Sequence, residues 1–175
     1  MTSIERFPNL MSFFHEELQS AFKELRMETS EETEAYLVHL LDGFAKPSAA
    51  ANADLGFETP AAILLDEAIS APDDRKIDIY RRLGDSSLYS CGFLPEYLSK
   101  KTVGMQYYKN MGTIAYQALS DLMRFKAPGG VFDLIYKELS QKFNECVNAF
   151  RLVGSRPRGI QLLSFGHTPS LSGRD

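Results

Sequence analysis

Basic excess is missing from this chain: 19 Lys and Arg stand against 23 Asp and Glu, and the two signs are mixed along its 175 residues. Nucleic-acid binders draw affinity from counterion release along a basic stripe, so nucleic acid is not an expected partner. Long apolar runs are missing too. No stretch of about 18 apolar residues could cross a bilayer, and the first helical stretch carries Glu16, Glu17 and Glu24 where a membrane-surface helix would carry Lys and Arg. The start, MTSIERFPNL, has neither the basic residues nor the apolar core of a secretory signal, so the cytoplasm is the expected compartment. Cysteine is scarce. Cys91 and Cys146 lie far apart, both on apolar helical faces, and read as reduced, buried thiols rather than a disulfide or metal ligands.

Catalytic signatures are also absent. Metal-binding bundles repeat a Glu-x-x-His pair, whereas here Glu34 and His39 are five residues apart and Glu16 is followed three residues later by Gln19. No metal or other cofactor is therefore expected, although a single histidine such as His15 suffices as an axial haem ligand. Ser86, Ser87 and Ser90 lack the Gly-x-Ser-x-Gly elbow of a nucleophilic serine. No phosphate-cradling glycine pattern occurs either, and Gly129-Gly130 reads as a turn between helices. The balance leans away from an enzyme.

Helical periodicity fills almost everything else, and strand alternation of useful length does not occur. The expected fold is all-α: a single-domain helical bundle of about six or seven helices over residues 1–153, followed by an irregular tail at 154–175. A hydrophobic content of 44% is ample for one packed core. The first helix, Asn9 to Arg26, places Leu10, Phe13, Phe14, Leu18, Ala21, Phe22 and Leu25 on one face, with Asn9 as its cap. The second, Ser30 to Ala45, has cap chemistry in Thr29 with Glu32 or Ser30 with Thr33, and a stripe of Tyr36, Leu37, Leu40, Leu41 and Phe44.

After the loop KPSAAANADLGFE, Thr59 is expected to cap a helix with Pro60 in its first position, ending near Ala71 before Pro72. A fourth helix runs from Asp73 to about Cys91, and a short one spans Leu94 to Thr102. Met105 to Phe125 is interrupted by charge only at Lys109, Asp121 and Arg124, which predicts a helix at the centre of the bundle. The last, Val131 to Leu152, has Phe132, Ile135, Leu139, Phe143, Cys146, Val147 and Phe150 as its core face and Gly154 as its stop.

The segment from Gly84 to Tyr116 holds more small residues and tyrosines than a helical pattern requires. Glycine inside a helix costs about 1 kcal/mol relative to alanine, so Gly84 and Gly92 predict close approach by a neighbouring helix. Gly112, Ala115 and Ala118 give the central helix a matching smooth side. Asp85 must face solvent or find donors, because an unpaired buried charge is expensive. Tyr107, Tyr108 and Tyr116, or Arg81 and Arg82, are the candidate donors. A structural Asp-Tyr network ranks ahead of an exposed aspartate, and both rank ahead of a ligand or catalytic site. Asp85, Ser87, Tyr107, Tyr108, Tyr116 and His15 are thus the candidate network or pocket residues.

The run RRLGDSSLYSCGFLPEYLSKKTVGMQYYKNMGTIAYQAL, with the earlier TEAYLVHLLDGFA, resembles an uncharacterised family of bacterial all-helical proteins with no established activity. The marks of the resemblance are Gly84-Asp85, Gly92-Phe93, Tyr107-Tyr108, Met111-Gly112 and Ala115-Tyr116, within a span from Met11 to Leu152. It implies a further amphipathic helix beyond Leu152. GSRPRGIQLLSFGHTPSLSGRD carries none, so a truncated, divergent or frame-altered C-terminus is expected. The leading functional expectation is a cytoplasmic protein-interaction or regulatory module, binding a protein partner or a second copy. The alternative is a small-ligand-binding or enzymatic bundle of haem-oxygenase-like architecture, with its pocket near Asp85 and Tyr107, Tyr108 and Tyr116 or beside His15.

Overall fold

Local capping sets the first two helices. In a computed structural model that describes residues 9–45 and 60–156, α1 spans Leu10–Leu25 and the Asn9 side chain accepts a hydrogen bond from the Met11 N–H at 2.9 Å. It ends with Arg26 in the left-handed region (φ 52°), where the N–H groups of Arg26 and Met27 close on the carbonyls of Lys23 and Phe22. A turn leads to α2, Glu31–Ala45, where Ser30 Oγ accepts from the Thr33 N–H at 3.2 Å. The other expected cap pair, Thr29 with Glu32, does not form the start.

Six more helices follow among the described residues: α3 Ala61–Ser70, α4 Asp73–Phe93, α5 Pro95–Ser99, α6 Gly104–Lys126, α7 Val131–Gln141 and α8 Phe143–Ser155. Pro60 is the cap of α3 and not its first helical residue, and its carbonyl accepts from the N–H groups of Ile63 and Leu64. Thr59 and the loop at 46–58 lie outside the described residues. Gly129 turns the chain between α6 and α7 with φ at +75°, a conformation that favours glycine.

The chain is an all-α, single-domain bundle. α1 and α2 form a hairpin whose helices pack on α8 and α7 respectively, while α4 packs against α3, α5, α6 and α8. The main core gathers Phe13, Phe14, Leu18, Leu37, Leu41, Leu88, Leu119, Leu139, Val147 and Phe150. A smaller one sits under α3, with Leu64, Ala68, Ile79, Leu83, Met111 and Ala115. No helix among the described residues is long and apolar enough to cross a membrane.

Several further expectations need correction. α6, the helix expected at the centre, packs against α3, α4, α5, α7 and α8, but it exposes Gln106, Asn110, Ile114, Gln117 and Asp121 along one side, and the long continuously buried run, Ser86 to Gly92, belongs to α4. Small residues explain the difference, because they let neighbours approach α4 from several directions. A Cβ on Gly92 would lie 2.4 Å from Phe150 Cβ, and one on Gly84 would lie 2.7 Å from the Tyr116 ring.

The helix expected over Val131 to Leu152 is two, broken at Lys142 (φ −111°, ψ 26°), which raises the helix number to eight among the described residues. Gly154 does not stop the second: α8 continues to Ser155, and a Cβ on Gly154 would lie 2.8 Å from the Phe93 ring. Glycine serves packing there. The remainder of the predicted tail, 157–175, lies outside the described residues. Leu25 and Phe132, placed on core stripes by periodicity, are 41% and 47% exposed.

Candidate functional site

One polar centre joins four helices. Asp85 Oδ1, on α4, accepts hydrogen bonds from the hydroxyls of Tyr36 on α2 and Tyr116 on α6, both at 2.7 Å. Tyr136 on α7 sits edge-on to Tyr36 at 5.6 Å and stacks on Tyr116 at 6.1 Å. Sequence explains how Tyr116 arrives: a Cβ on Gly84 would lie 2.7 Å from its Cε1, so glycine beside the aspartate clears the path for the ring. Gly84 and Asp85 act as a unit, one making room for Tyr116 and the other receiving its hydroxyl.

Burial pushes the Asp85 carboxyl up to about 6, and the hydrogen bonds from Tyr116 and Tyr36 and the charge of Arg81 only partly oppose it. Burial and then the Asp85 charge hold both tyrosine hydroxyls well above their ordinary range, so they stay protonated donors. Tyr136 is pushed up to about 12, chiefly by burial.

Asp85 keeps partial exposure because it opens on a cleft of about 280 Å³ between α2 and α4. Tyr36, Leu40, Gly43 and Phe44 wall one side, Arg81 and Arg82 flank Asp85 on the other, and the exposed His39 sits at the margin. Phe44 is held rigidly: its ring stacks on Tyr89 at 4.2 Å and 6°, and Tyr89 in turn stacks on Phe93 at 5.0 Å. Beside it, a Cβ on Gly43 would meet no atom of the described residues within 4 Å. Arg81 bonds Asp78 at 3.3 Å, so of the candidate donors the tyrosine supplies the direct contact and this arginine only charge.

The other sequence candidates lie elsewhere. Tyr107 and Tyr108 pack edge-to-face on each other at 5.5 Å, about two turns before Tyr116 and roughly 12 Å from it along α6. Ser87 is 1% exposed and faces Gly112, with no hydrogen-bond partner for its Oγ. His15 is on another surface of the α1–α2 hairpin, its Nδ1 3.2 Å from Glu34 Oε1, an ion pair when the imidazole is protonated. It lines a separate cleft of about 440 Å³ with Met11, Ser12, Glu16, Ala35, Val38 and His39. Among the described residues no three His, Cys, Asp or Glu side chains are placed to share a metal ion. Cys91 and Cys146 are free and buried, and burial pushes their thiols up to about 11 and about 12.

Tyr36 is the residue that sequence reasoning missed as a member of the centre. It was visible only as one position in the α2 stripe, although a buried tyrosine hydroxyl usually finds a partner. No family model, curated protein or solved structure matches the chain at a significant level.

Proposed function

We propose that this protein is a helical module that binds a small molecule in the cleft beside Asp85. One observation carries the reading: both tyrosines donate to Oδ1, which leaves Oδ2 of a cleft-lining carboxylate with no protein donor among the described residues. A carboxylate kept solely for structure gains from having both oxygens satisfied internally. A concave site with an apolar wall and a few convergent polar groups is the usual form of a ligand pocket.

The test is mass spectrometry of material released from the natively purified chain, followed by thermal-shift screening with what is found. The expected result is a molecule retained by the wild type and lost from Asp85→Asn at unchanged fold. No retained molecule, together with no stabilising compound whose effect depends on Asp85, would overturn the reading.

A second reading, association with a protein partner or another copy, is favoured by a separate observation. At the α6–α7 corner Phe125 is 83% exposed, Leu134 61%, Phe132 47% and Val131 45%, an apolar grouping of the kind that marks contact surfaces. Light scattering of the wild type and of Phe125→Ser/Phe132→Ser measures it. A monomeric wild type that captures the same proteins as the double variant would remove this reading.

A further inference from the structure

The cleft of about 440 Å³ between α1 and α2 is separate from the one beside Asp85 and carries a different chemistry. Helical spacing builds it. Met11 with His15 and Ser12 with Glu16 are pairs four apart on α1, while Ala35 and Val38 are three apart on α2, and Val38 is buried beneath them. We propose that this second cleft binds a small primary alkylamine in its ammonium form: the ammonium donates to the Glu16 carboxylate and Ser12 Oγ, and the alkyl body lies on Met11 and Val38.

Charge sets the sign of the ligand. Among the described residues no Lys or Arg lines the cleft, whereas Glu16 does, exposed and engaged in no ion pair. A second carboxylate lies behind His15. The Glu34 side chain is only 16% exposed, and its buried Oε1 accepts no hydrogen bond among the described residues, although His15 Nδ1 is 3.2 Å away. Protonated, His15 balances Glu34 and leaves Glu16 in excess; neutral, it leaves both. A buried carboxylate oxygen without a donor is costly, and a cation in the cleft offsets that cost. The start of α1 brings about half a positive charge, too little to reverse the sign, and Asn9 already accepts from the Met11 N–H.

Hydrogen-bond polarity selects the kind of cation. Ser12, His15, Glu16 and His39 can all accept, and the Glu16 carboxylate can do nothing else. A primary ammonium brings N–H donors to them. A quaternary ammonium brings none and is ordinarily held by aromatic faces, which this lining lacks. Size limits the body: about 440 Å³ lies toward the small end of ligand pockets, and Met11, Ala35 and Val38 supply the apolar surface for a short alkyl chain.

Amide chemical-shift titration of the isotope-labelled full chain tests the proposal with three probes: butylamine, butyltrimethylammonium and butanoate. Butylamine is expected to shift the amides of Ser12, Glu16, Val38 and His39 with a dissociation constant of about 1 mM, within reach of a ligand of about five heavy atoms. The quaternary probe, equal in charge but without donors, should bind about tenfold more weakly, the scale of a hydrogen bond to a charged group, and butanoate should not bind. Glu16→Gln, a change at an exposed side chain, should weaken butylamine about tenfold and leave the melting temperature unchanged. Asp85→Asn should leave butylamine binding as it is, because Asp85 opens on the other cleft.

Equal binding of the quaternary probe would overturn the primary amine as ligand. Butanoate binding as tightly as butylamine, or butylamine binding indifferent to Glu16→Gln, would overturn the cationic site. So would the absence of shifts at those amides with butylamine about tenfold above the expected constant. None of these outcomes touches the reading of the Asp85 cleft, which is tested on its own variant.

Discussion

Asp85 and Glu138 are both carboxylates set between helices, yet the bundle provides for them in opposite ways. Glu138 on α7 accepts from the Ser30 N–H at 3.1 Å, Ser30 Oγ at 2.7 Å, Thr33 Oγ1 at 2.6 Å and Lys142 Nζ at 3.0 Å. Burial would push its carboxyl up, but the hydrogen bonds from Thr33, Ser30 and Lys142 outweigh that and hold it below the usual range. Asp85 has two neutral donors on one oxygen, and burial wins. Glu138 therefore works as a clamp, fixing the start of α2 to the α7–α8 break, whereas Asp85 is left with capacity to spare at the edge of a cleft. Depth of burial together with the number and charge of the donors separates a structural carboxylate from one available to a ligand.

The largest expected effect tests the clamp. Glu138→Ala removes the charged acceptor shared by Ser30, Lys142 and Thr33, a residue with 0% exposure, and leaves Thr33 Oγ1 only Ser30 Oγ at 2.9 Å and Lys142 only the Glu28 carbonyl. The loss should be about 3 kcal/mol in urea denaturation, because hydrogen bonds to a charged acceptor are the stronger kind. Asp85→Asn, which keeps an acceptor for both tyrosines, should cost far less at neutral pH. Equal losses would erase the contrast.

Next in size is Gly84→Ala. Its Cβ would press on the fully buried Tyr116 ring at 2.7–3.0 Å. Overpacking of this kind costs about 2 kcal/mol, partly offset by alanine's better helix propensity. The added methyl should also push the Tyr116 hydroxyl off Asp85. A stabilised variant with unchanged tyrosine absorbance would show that the ring has room to move.

A smaller effect distinguishes the two carboxylates by pH. The folded Asp85 value, about 6, lies above its ordinary 3.8, so its contribution to stability is complete below 3.8 and is lost as pH rises through 6. Glu138 lies below its ordinary 4.5, so its contribution is complete above 4.5 and is lost as pH falls through the lowered folded value. Relative to Asp85→Asn, the wild type should lose about 1 kcal/mol between pH 4 and pH 7, a shift moderated by the solvent that reaches the cleft. Relative to Glu138→Gln it should gain stability as pH rises from the acid side. Parallel difference curves would refute the opposite assignments.

How much of this was legible in the chain depends on how local each interaction is. The Asn9 cap and the Ser30–Thr33 pair were readable because their partners are two and three residues apart. Asp85 with Tyr116 was readable because a carboxylate within an apolar stretch must find donors, and the tyrosines nearby were few. Tyr36 was not, since its hydroxyl is hidden in an apolar stripe 49 residues away. The break at Lys142 was invisible because Leu139, Phe143, Cys146 and Val147 keep helical spacing across it. Lys142 is bound there by tertiary contacts, to the Glu28 carbonyl and the Glu138 carboxylate. Gly154 misled for a related reason: glycine read as a backbone signal was needed for the space it leaves to Phe93.

The smallest effect bears most directly on what the cleft is for. Gly43 lies within α2, and a Cβ there would meet nothing among the described residues within 4 Å. Alanine should therefore stabilise the fold by about 0.5–1 kcal/mol through helix propensity alone. It would do so by placing a methyl group in the cleft, next to the Leu40 and Phe44 wall. If the cleft holds a ligand body against that wall, Gly43→Ala should be more stable when empty yet bind that ligand less tightly, a divergence that a purely structural network does not produce. Calorimetric melting with and without the molecule retained on native purification measures both. A variant that gains stability and binds as well as the wild type would move the ligand out of the cleft and leave Asp85, like Glu138, a tie between helices.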